Sequence, residues 1–184
     1  MIYSINGKHE TNTSESYNKD IYVYKDNLII PYINLQILSP NFNHPTIKEN
    51  DRLNFAYLIF KTVKEMHWSY EFNNKIRYKN LVFDTLSNDN DYSTEYIDAT
   101  NIFTEHYGYD FEIKFKEQYL YFSEDVAIKN GVLSHWIPID TPNFKRNLSK
   151  EAVKSFFIKD NVPSEITELV GAINSKVLEI LNII

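Results

Sequence analysis

Cysteine is missing from all 184 residues of the sequence. This absence excludes a disulfide framework, a thiol nucleophile and a thiolate metal site. A chain without thiols fits a reducing compartment, and we therefore predict a cytoplasmic location.

Glycine is also scarce, at 4 residues, which counts against a glycine-rich loop that cradles phosphate groups. The patterns G-x-S-x-G, G-x-x-x-x-G-K-[ST] and H-E-x-x-H do not occur in the sequence. We therefore predict no catalytic residues, no cofactor and no enzymatic activity. A hydrolase whose catalytic groups lie far apart in sequence stays open as an alternative.

Long apolar runs are missing too. No stretch approaches the roughly 20 apolar residues that a membrane-spanning helix requires. The first nine residues do not combine a basic start with an apolar segment, so we predict neither a secretory signal nor a membrane association.

Negative charge is present in excess and is unevenly distributed. The chain carries a net charge of -6, the wrong sign for a direct nucleic-acid binder. Residues 84–125 contain eleven acids against two lysines, a local charge of -9, whereas the segments before and after them are slightly basic. The whole excess therefore belongs to one stretch of 42 residues.

Alternation of apolar and polar residues predicts several strands. Ile21–Tyr24 and Leu28–Ile30 flank turn residues and predict a hairpin. Residues 53–68 fit either a strand or a helix, and their aromatic and β-branched content favours a strand. Tyr109–Lys116 alternates most clearly, and we predict a tight hairpin at residues 117–118 after it.

The C-terminal part has a helical period. A short helix is predicted around Ala152–Phe157, and apolar residues at i, i+3, i+4 and i+7 predict one amphipathic helix over Pro163–Ile184. We predict a single domain over residues 1–184, strand-rich over 1–148 and helical over 149–184. Its fold class would be α+β, a mainly antiparallel sheet covered by C-terminal helices.

Metal-binding and acid–base patterns are weak. Asp89, Asp91 and Glu95 alternate in a polar segment, but a calcium-hand loop starting at Asp89 would need Gly and Glu where Thr94 and Thr100 stand. No histidines have zinc-like spacing, so no metal site is predicted. If residues 53–68 form a strand, Glu65 and His67 share one of its faces.

The acidic stretch is the best candidate for a function. Its carboxylates are interleaved with tyrosines, which are common anchors of protein interfaces. Clustered acids also serve simply as a solvated face, and that interpretation stays open. The residues predicted to bind a basic protein partner are Asp89, Asp91, Tyr92, Glu95, Tyr96, Asp98, Tyr107, Asp110 and Glu112.

The chain is small and acidic, and it combines this stretch with the strand pattern of Tyr109–Phe115 and a predicted C-terminal helix over Pro163–Ile184. In these features it resembles the immunity proteins of bacterial toxin systems. The resemblance implies an inhibitor that binds a toxin domain and blocks its active site with an acidic surface. The alternative is a decoy inhibitor that mimics nucleic acid, with regularly spaced carboxylates in place of phosphates.

Overall fold

The strands and the helix follow from a computed structural model of the chain. It describes residues 2–4, 11–13, 16–18, 20–38, 44–45, 47–72, 75–83, 91–101, 108–122, 126–128, 162–170 and 176–179. The elements in these segments are β1 (Ile2–Ser4), β2 (Thr11–Asn12), β3 (Tyr17–Asn18), β4 (Asp20–Tyr24), β5 (Asn27–Ile37), β6 (Arg52–Lys61), β7 (Glu65–Phe72), β8 (Lys75–Val82), β9 (Ser93–Asn101), β10 (Gly108–Phe115), β11 (Glu117–Phe122), β12 (Val126–Ile128), α1 (Ser164–Val170) and β13 (Lys176–Glu179).

The strands form one sheet that curls into a half-barrel. Its main path is β1-β11-β6-β5-β3-β9-β10-β7-β8, with β12 against β6, β2 and β4 against β5, and β13 against β4. The pairs are antiparallel except β3 with β9, which is parallel. The predicted α+β class is therefore wrong, because the described fold is mostly antiparallel β with one short helix.

The C-terminal amphipathic helix is the main error. Within the predicted Pro163–Ile184 helix, only Ser164–Val170 is described as helical, and Lys176–Glu179 pairs as a strand with β4. Valine and isoleucine dominate the apolar positions of Pro163–Ile184. Such β-branched residues favour strands where a partner strand is available. The predicted helix around Ala152–Phe157 lies outside the described residues.

The central strand β5 is buried along its whole length. The predicted hairpin is confirmed, since Tyr22 pairs with Ile29 and Tyr24 with Asn27 across the turn. On one face of the sheet the main core gathers Leu28, Leu58 and Phe60 with side chains of β7, β10 and β11. On the other face, Ile166 of α1 packs against Tyr22, Ile29, Tyr57 and Ile59.

Residues 53–61 and 65–68 are strand, as the sequence favours, but they belong to two strands, β6 and β7, with residues 62–64 between them. The two strands do not follow each other straight. Lys61 pairs with Glu117 and Glu65 pairs with Lys114, so three residues of one chain segment oppose two of the other. This is a β-bulge, and a bulge bends a strand and increases its twist.

We call residues 62–64 and 115–116 the bulged corner. Two backbone hydrogen bonds bridge it, from Lys64 N–H to Lys114 O at 2.8 Å and from Lys116 N–H to Lys61 O at 3.2 Å. The predicted hairpin at residues 117–118 is therefore wrong, because β10 pairs with β7 and β9 while β11 pairs with β6 and β1. The chain bends at the corner, and the ladder of β10 with β7 on one side is followed by the ladder of β11 with β6 on the other.

Thr62 lies in this corner with a φ of 53°, and its N–H donates to Asn27 Oδ1 at 3.1 Å. A β-branched residue is unfavourable in this left-handed region, which glycine occupies readily. We expect Thr62→Gly to raise the free energy of unfolding by about 0.5–1 kcal/mol, measured by urea denaturation.

The matched control is Thr94→Gly inside β9, where glycine should lower the free energy of unfolding by about 0.5–1 kcal/mol because strand interiors disfavour it. Equal destabilisation by the two substitutions would contradict a left-handed corner at Thr62.

Candidate functional site

Beyond the bulged corner, β9, β10, β7 and β8 lie side by side and form a four-stranded wing. Alternation divides the side chains of this wing between two faces. Phe111, Ile113 and Phe115 are buried in the main core, so Asp110 and Glu112 point to the opposite face. The alternation predicted for Tyr109–Lys116 is confirmed for these residues.

We call this opposite side the wing face. Strand register arranges it in three rows that run across β9, β10, β7 and β8. The rows are Thr94–Lys114–Glu65–Val82, then Tyr96–Glu112–His67–Asn80, then Asp98–Asp110–Ser69–Tyr78. Residues from two separate parts of the sequence, 65–82 and 93–115, thus become neighbours about 5 Å apart across the strands.

The middle row is held by hydrogen bonds. The Tyr96 hydroxyl donates to Glu112, which raises the pKa of that tyrosine. His67 Nε2 lies 3.3 Å from Glu65 Oε2, and His67 Nδ1 lies 2.8 Å from Asn80 Oδ1. The predicted shared face of Glu65 and His67 is confirmed, and Asn80 adds a contact from the next strand.

Both ring nitrogens of His67 therefore face oxygen atoms, an arrangement that favours the doubly protonated imidazolium. The hydrogen bond to Asn80 raises the pKa of His67, partial burial lowers it, and Glu65 and Glu112 raise it further. The net shift is upward from 6.5. The protonated form of His67 therefore persists to a higher pH than that of a free histidine.

The third row is more open. Ser69 Oγ donates to Asp110 Oδ2 at 3.5 Å, a long contact. Tyr78 at the β8 end is 76% exposed, and Tyr96 in the middle row is 75% exposed. Ile76 and Val82, on the same side of β8, are 64% and 68% exposed. Large side chains left in water on one face are typical of a surface that binds a partner.

A shallow groove of about 370 Å³ follows the second and third rows. Its lining residues are His67, Trp68, Ser69, Tyr78, Asn80, Tyr96, Asp110, Phe111 and Glu112. It combines exposed aromatic rings, two carboxylates and an imidazole, which suits recognition of a cationic group with an apolar rim.

The structure brings three of the predicted partner-binding residues together here, Tyr96, Asp110 and Glu112. Asp98 pairs with Asp110 in the register, and that places it in the third row. Asp89 and Tyr107 lie outside the described residues.

Two further predicted residues lie away from this groove, near the corner. Asp91 Oδ2 is 3.7 Å from Lys116 Nζ. The Tyr92 ring has Lys116 Nζ at 5.1 Å and Lys64 Nζ at 5.8 Å from its centroid, within the distance for cation–π attraction. Asp91 and Tyr92 are thus engaged with lysines of their own chain.

Glu95 lies on the core side of β9, because it pairs with Ile113 in the alternating register. It is only 7% exposed, so it does not contribute to the field of the wing face. Burial raises its pKa from 4.5 to about 7, and a hydrogen bond from Gln118 partly opposes the shift. The charge count of the sequence could not show this, because it treats buried and exposed acids alike.

Sequence reasoning missed Tyr78, Asn80 and Ser69 as members of the site. They belong to slightly basic or neutral segments outside the acidic stretch, and only strand pairing brings them to it.

Within the described segments, no group of three or more His, Asp or Glu residues could hold a metal ion. None of the helical residues described forms a segment long and apolar enough to cross a membrane.

Comparisons with known proteins find no matching family model, no similar curated protein and no similar solved structure.

The buried carboxyl of Glu95 predicts a pH-dependent stability. Because its pKa is about 7 in the folded chain and 4.5 ordinarily, the folded state binds the extra proton between these values. The free energy of unfolding should therefore fall as the pH rises from 4.5 to 7. We expect Glu95→Gln to be about 1–3 kcal/mol more stable than the unsubstituted protein at pH 8 and nearly equal to it at pH 4.5.

Urea denaturation at several pH values measures this difference, with Glu49→Gln, at an exposed position, as the control. A stability difference that does not change with pH would show that Glu95 is not a buried titrating group.

The contacts of His67 predict its titration. We expect an NMR titration of its ring protons to give a pKa above 6.5, and Asn80→Ala to lower that pKa because it removes the largest contribution. Glu65→Gln should lower it too. Since the folded pKa is raised, the stabilisation is present below pH 6.5 and is lost as the pH rises through the folded value. If the Asn80→Ala substitution left the pKa of His67 unchanged, the hydrogen bond between the two side chains would be contradicted.

Proposed function

We propose that this protein binds a basic protein partner through the wing face and neutralises it, as the immunity proteins of bacterial toxin systems do. The observation that carries the proposal is the convergence of carboxylates and exposed tyrosines on one groove, formed by Asp110, Glu112, Tyr78 and Tyr96.

Charge supports a basic partner. Three carboxylates of the wing face have described side chains, Glu65, Asp110 and Glu112. Among its described side chains, Lys114 Nζ and His67 Nε2 both lie beside Glu65, at 4.0 Å and 3.3 Å. The carboxylates of the wing face give it a negative potential, which Lys114 and the imidazole of His67, the cross-strand neighbour of Glu112, offset in part. Complementary potentials of this kind steer association and disfavour wrong partners.

Exposed apolar area supports a protein as the partner. Tyr78, Tyr96, Ile76 and Val82 are each more than 60% exposed, and burying such side chains contributes about 25 cal/mol per Å² of apolar surface. Tyrosine adds a hydroxyl that can hydrogen-bond at the rim of an interface. A partner that covers this side would gain from apolar burial as well as from charge.

The shape of the acidic surface favours this function over nucleic-acid mimicry. A decoy would need carboxylates in a long regular array that imitates a phosphate backbone. The described carboxylates of the wing face instead form a compact group beside tyrosines. We propose a cytoplasmic location for the complex, in keeping with a cysteine-free chain.

Charge reversal tests the proposal. The tagged protein is used to capture partners from a lysate of the organism that encodes it, and the captured partner is then purified and its activity is measured with added inhibitor. We expect a basic partner that is inhibited in a stoichiometric complex. Asp110→Lys with Glu112→Lys should weaken the complex about 100-fold or more, because buried interface carboxylates typically contribute several kcal/mol.

The control is Glu49→Lys with Glu168→Lys, which makes the same change in net charge at exposed positions outside the wing face. Circular dichroism verifies that both double variants fold. If the two double variants bind equally well at low and at moderate salt, the wing face is not the binding surface.

A further inference from the structure

Strand β8 lies at one end of the described sheet. It is the last strand of the main path, and among the described strands it pairs with β7 alone. The side chains of Ile76, Tyr78 and Val82 are 64%, 76% and 68% exposed, and Lys75 and Lys79 are exposed as well. An exposed edge strand offers its outer backbone groups to a further strand.

The register of β7 with β8 defines which backbone groups point outward. In an antiparallel ladder, opposed residues alternate between pairs that exchange backbone hydrogen bonds and pairs that do not. Phe83 N–H donates to Lys64 O at 2.9 Å, and these two residues continue the register of the ladder. The odd-numbered residues of β8 therefore bond to β7. The N–H and C=O groups that point away from β7 are those of Ile76, Tyr78, Asn80 and Val82.

The same even-numbered residues have exposed side chains on the wing face. An extended segment beside β8 would therefore form backbone hydrogen bonds at every second residue and cover three large side chains, those of Ile76, Tyr78 and Val82. In recognition by strand addition, backbone pairing supplies affinity and the side chains at alternate positions supply specificity.

Charge indicates what kind of segment fits this edge. Strand β8 contains three basic residues and no acid. Lys75 and Lys79 are opposite Phe72 and Trp68 of β7, so no acidic residue of β7 directly opposes either lysine. Opposite charges across a ladder stabilise the pairing and like charges destabilise it. A strand added on the outer side of β8 is therefore favoured when acids stand opposite the two lysines.

The same charge disfavours a second copy of the chain at this edge. Two β8 strands related by a two-fold axis pair antiparallel, and side-chain alternation then places residues of equal parity opposite each other. Every such register centred on residues 77 to 79 opposes basic positions of the two copies, because residues 75, 77 and 79 are all basic. Lysine on an edge strand is a common means of preventing such self-association.

We infer that the outer edge of β8 binds an extended acidic segment of a partner protein, which joins the sheet as an antiparallel strand. Antiparallel pairing is the stronger arrangement per residue. The acids of the segment lie opposite Lys75 and Lys79, and its apolar side chains lie beside Ile76, Tyr78 and Val82. The edge points along the sheet and the wing face points away from it, so the inference goes beyond the proposed function and does not rest on it.

The test uses a blocked peptide with this pattern, Val-Thr-Thr-Glu-Ile-Glu-Val-Glu, added to the ¹⁵N-labelled full chain. We expect NMR shifts in β8 and β7, with a Kd on the order of 0.1–1 mM at low salt. At a peptide concentration of about ten times Kd, amide hydrogen exchange at the even-numbered residues 76–82 should slow about 10-fold. Exchange at the odd-numbered residues 77–81 should change little, because these amides already bond to β7. Shifts that map away from β8 would overturn the inference.

Two N-methylated peptides separate backbone pairing from charge. Methylation of the isoleucine, which lies opposite Tyr78, removes an N–H that donates to β8 and should weaken binding at least about 10-fold. Methylation of the glutamate before it, opposite Lys79, changes an N–H that points away from β8 and should have little effect. An equal loss of affinity in the two peptides would contradict strand addition at this edge.

Charge reversal tests the preference for acids. Lys75→Glu with Lys79→Glu should weaken the peptide at least about 10-fold and should bind instead the peptide in which lysine replaces each glutamate. The control is Lys25→Glu with Lys48→Glu, which makes the same change in net charge at exposed positions outside β8 and should leave both affinities nearly unchanged. Circular dichroism verifies that both double variants fold. If the unsubstituted protein binds the lysine peptide as tightly as the glutamate peptide, the acidic segment is the wrong occupant.

Sedimentation equilibrium without peptide tests for a second copy at the edge. We expect a monomer. Ile76→Pro removes an outward N–H, whereas Ile76→Ala keeps it, so pairing through this edge is sensitive to the first substitution and not to the second. A dimer that Ile76→Pro dissociates and Ile76→Ala leaves intact would assign the edge to a second copy and overturn the inference.

Discussion

The bulged corner is the constraint on which the rest of the described structure depends. One extra residue in 62–64 bends the ladder between the strand pair β6–β11 and the pair β7–β10, and backbone hydrogen bonds across the corner keep the two ladders continuous. The bend lets one sheet bury a common core on one face. It also separates the wing, whose other face carries the groove, from the part of the sheet that α1 contacts.

Alternation within the wing then decides the role of each acid. Glu95 and Tyr96 are adjacent in sequence, yet one is buried among core side chains and the other is largely exposed at the groove. The same rule separates Phe111 from its neighbours Asp110 and Glu112. A carboxylate therefore contributes to recognition according to the face on which its strand position falls, and not according to the local charge of the sequence.

The proposed recognition thus depends on a few acids within a mixed surface. Asp91 is held by Lys116 near the corner, and Glu95 is removed from the surface by burial. The groove instead combines acids of β10 with Tyr78, Asn80 and His67 from β8 and β7. Carboxylates supply attraction at long range and the tyrosines supply contact area, so the pair of features can give both fast encounter and a defined fit.

The sequence by itself determined the local features: the hairpin at residues 21–30, the strand character of residues 53–61 and 65–68, the two faces of β10 and the shared face of Glu65 and His67. Side-chain periodicity and turn residues encode these over a few positions. Tertiary structure alone decided that Lys176–Glu179 joins β4 as a strand, that β11 pairs with β6 instead of turning back onto β10, and that Asn80 and Tyr78 line the same groove as Glu112 and Asp110. These outcomes depend on which distant strands pair, and the free energy of that pairing comes from contacts that no local pattern contains.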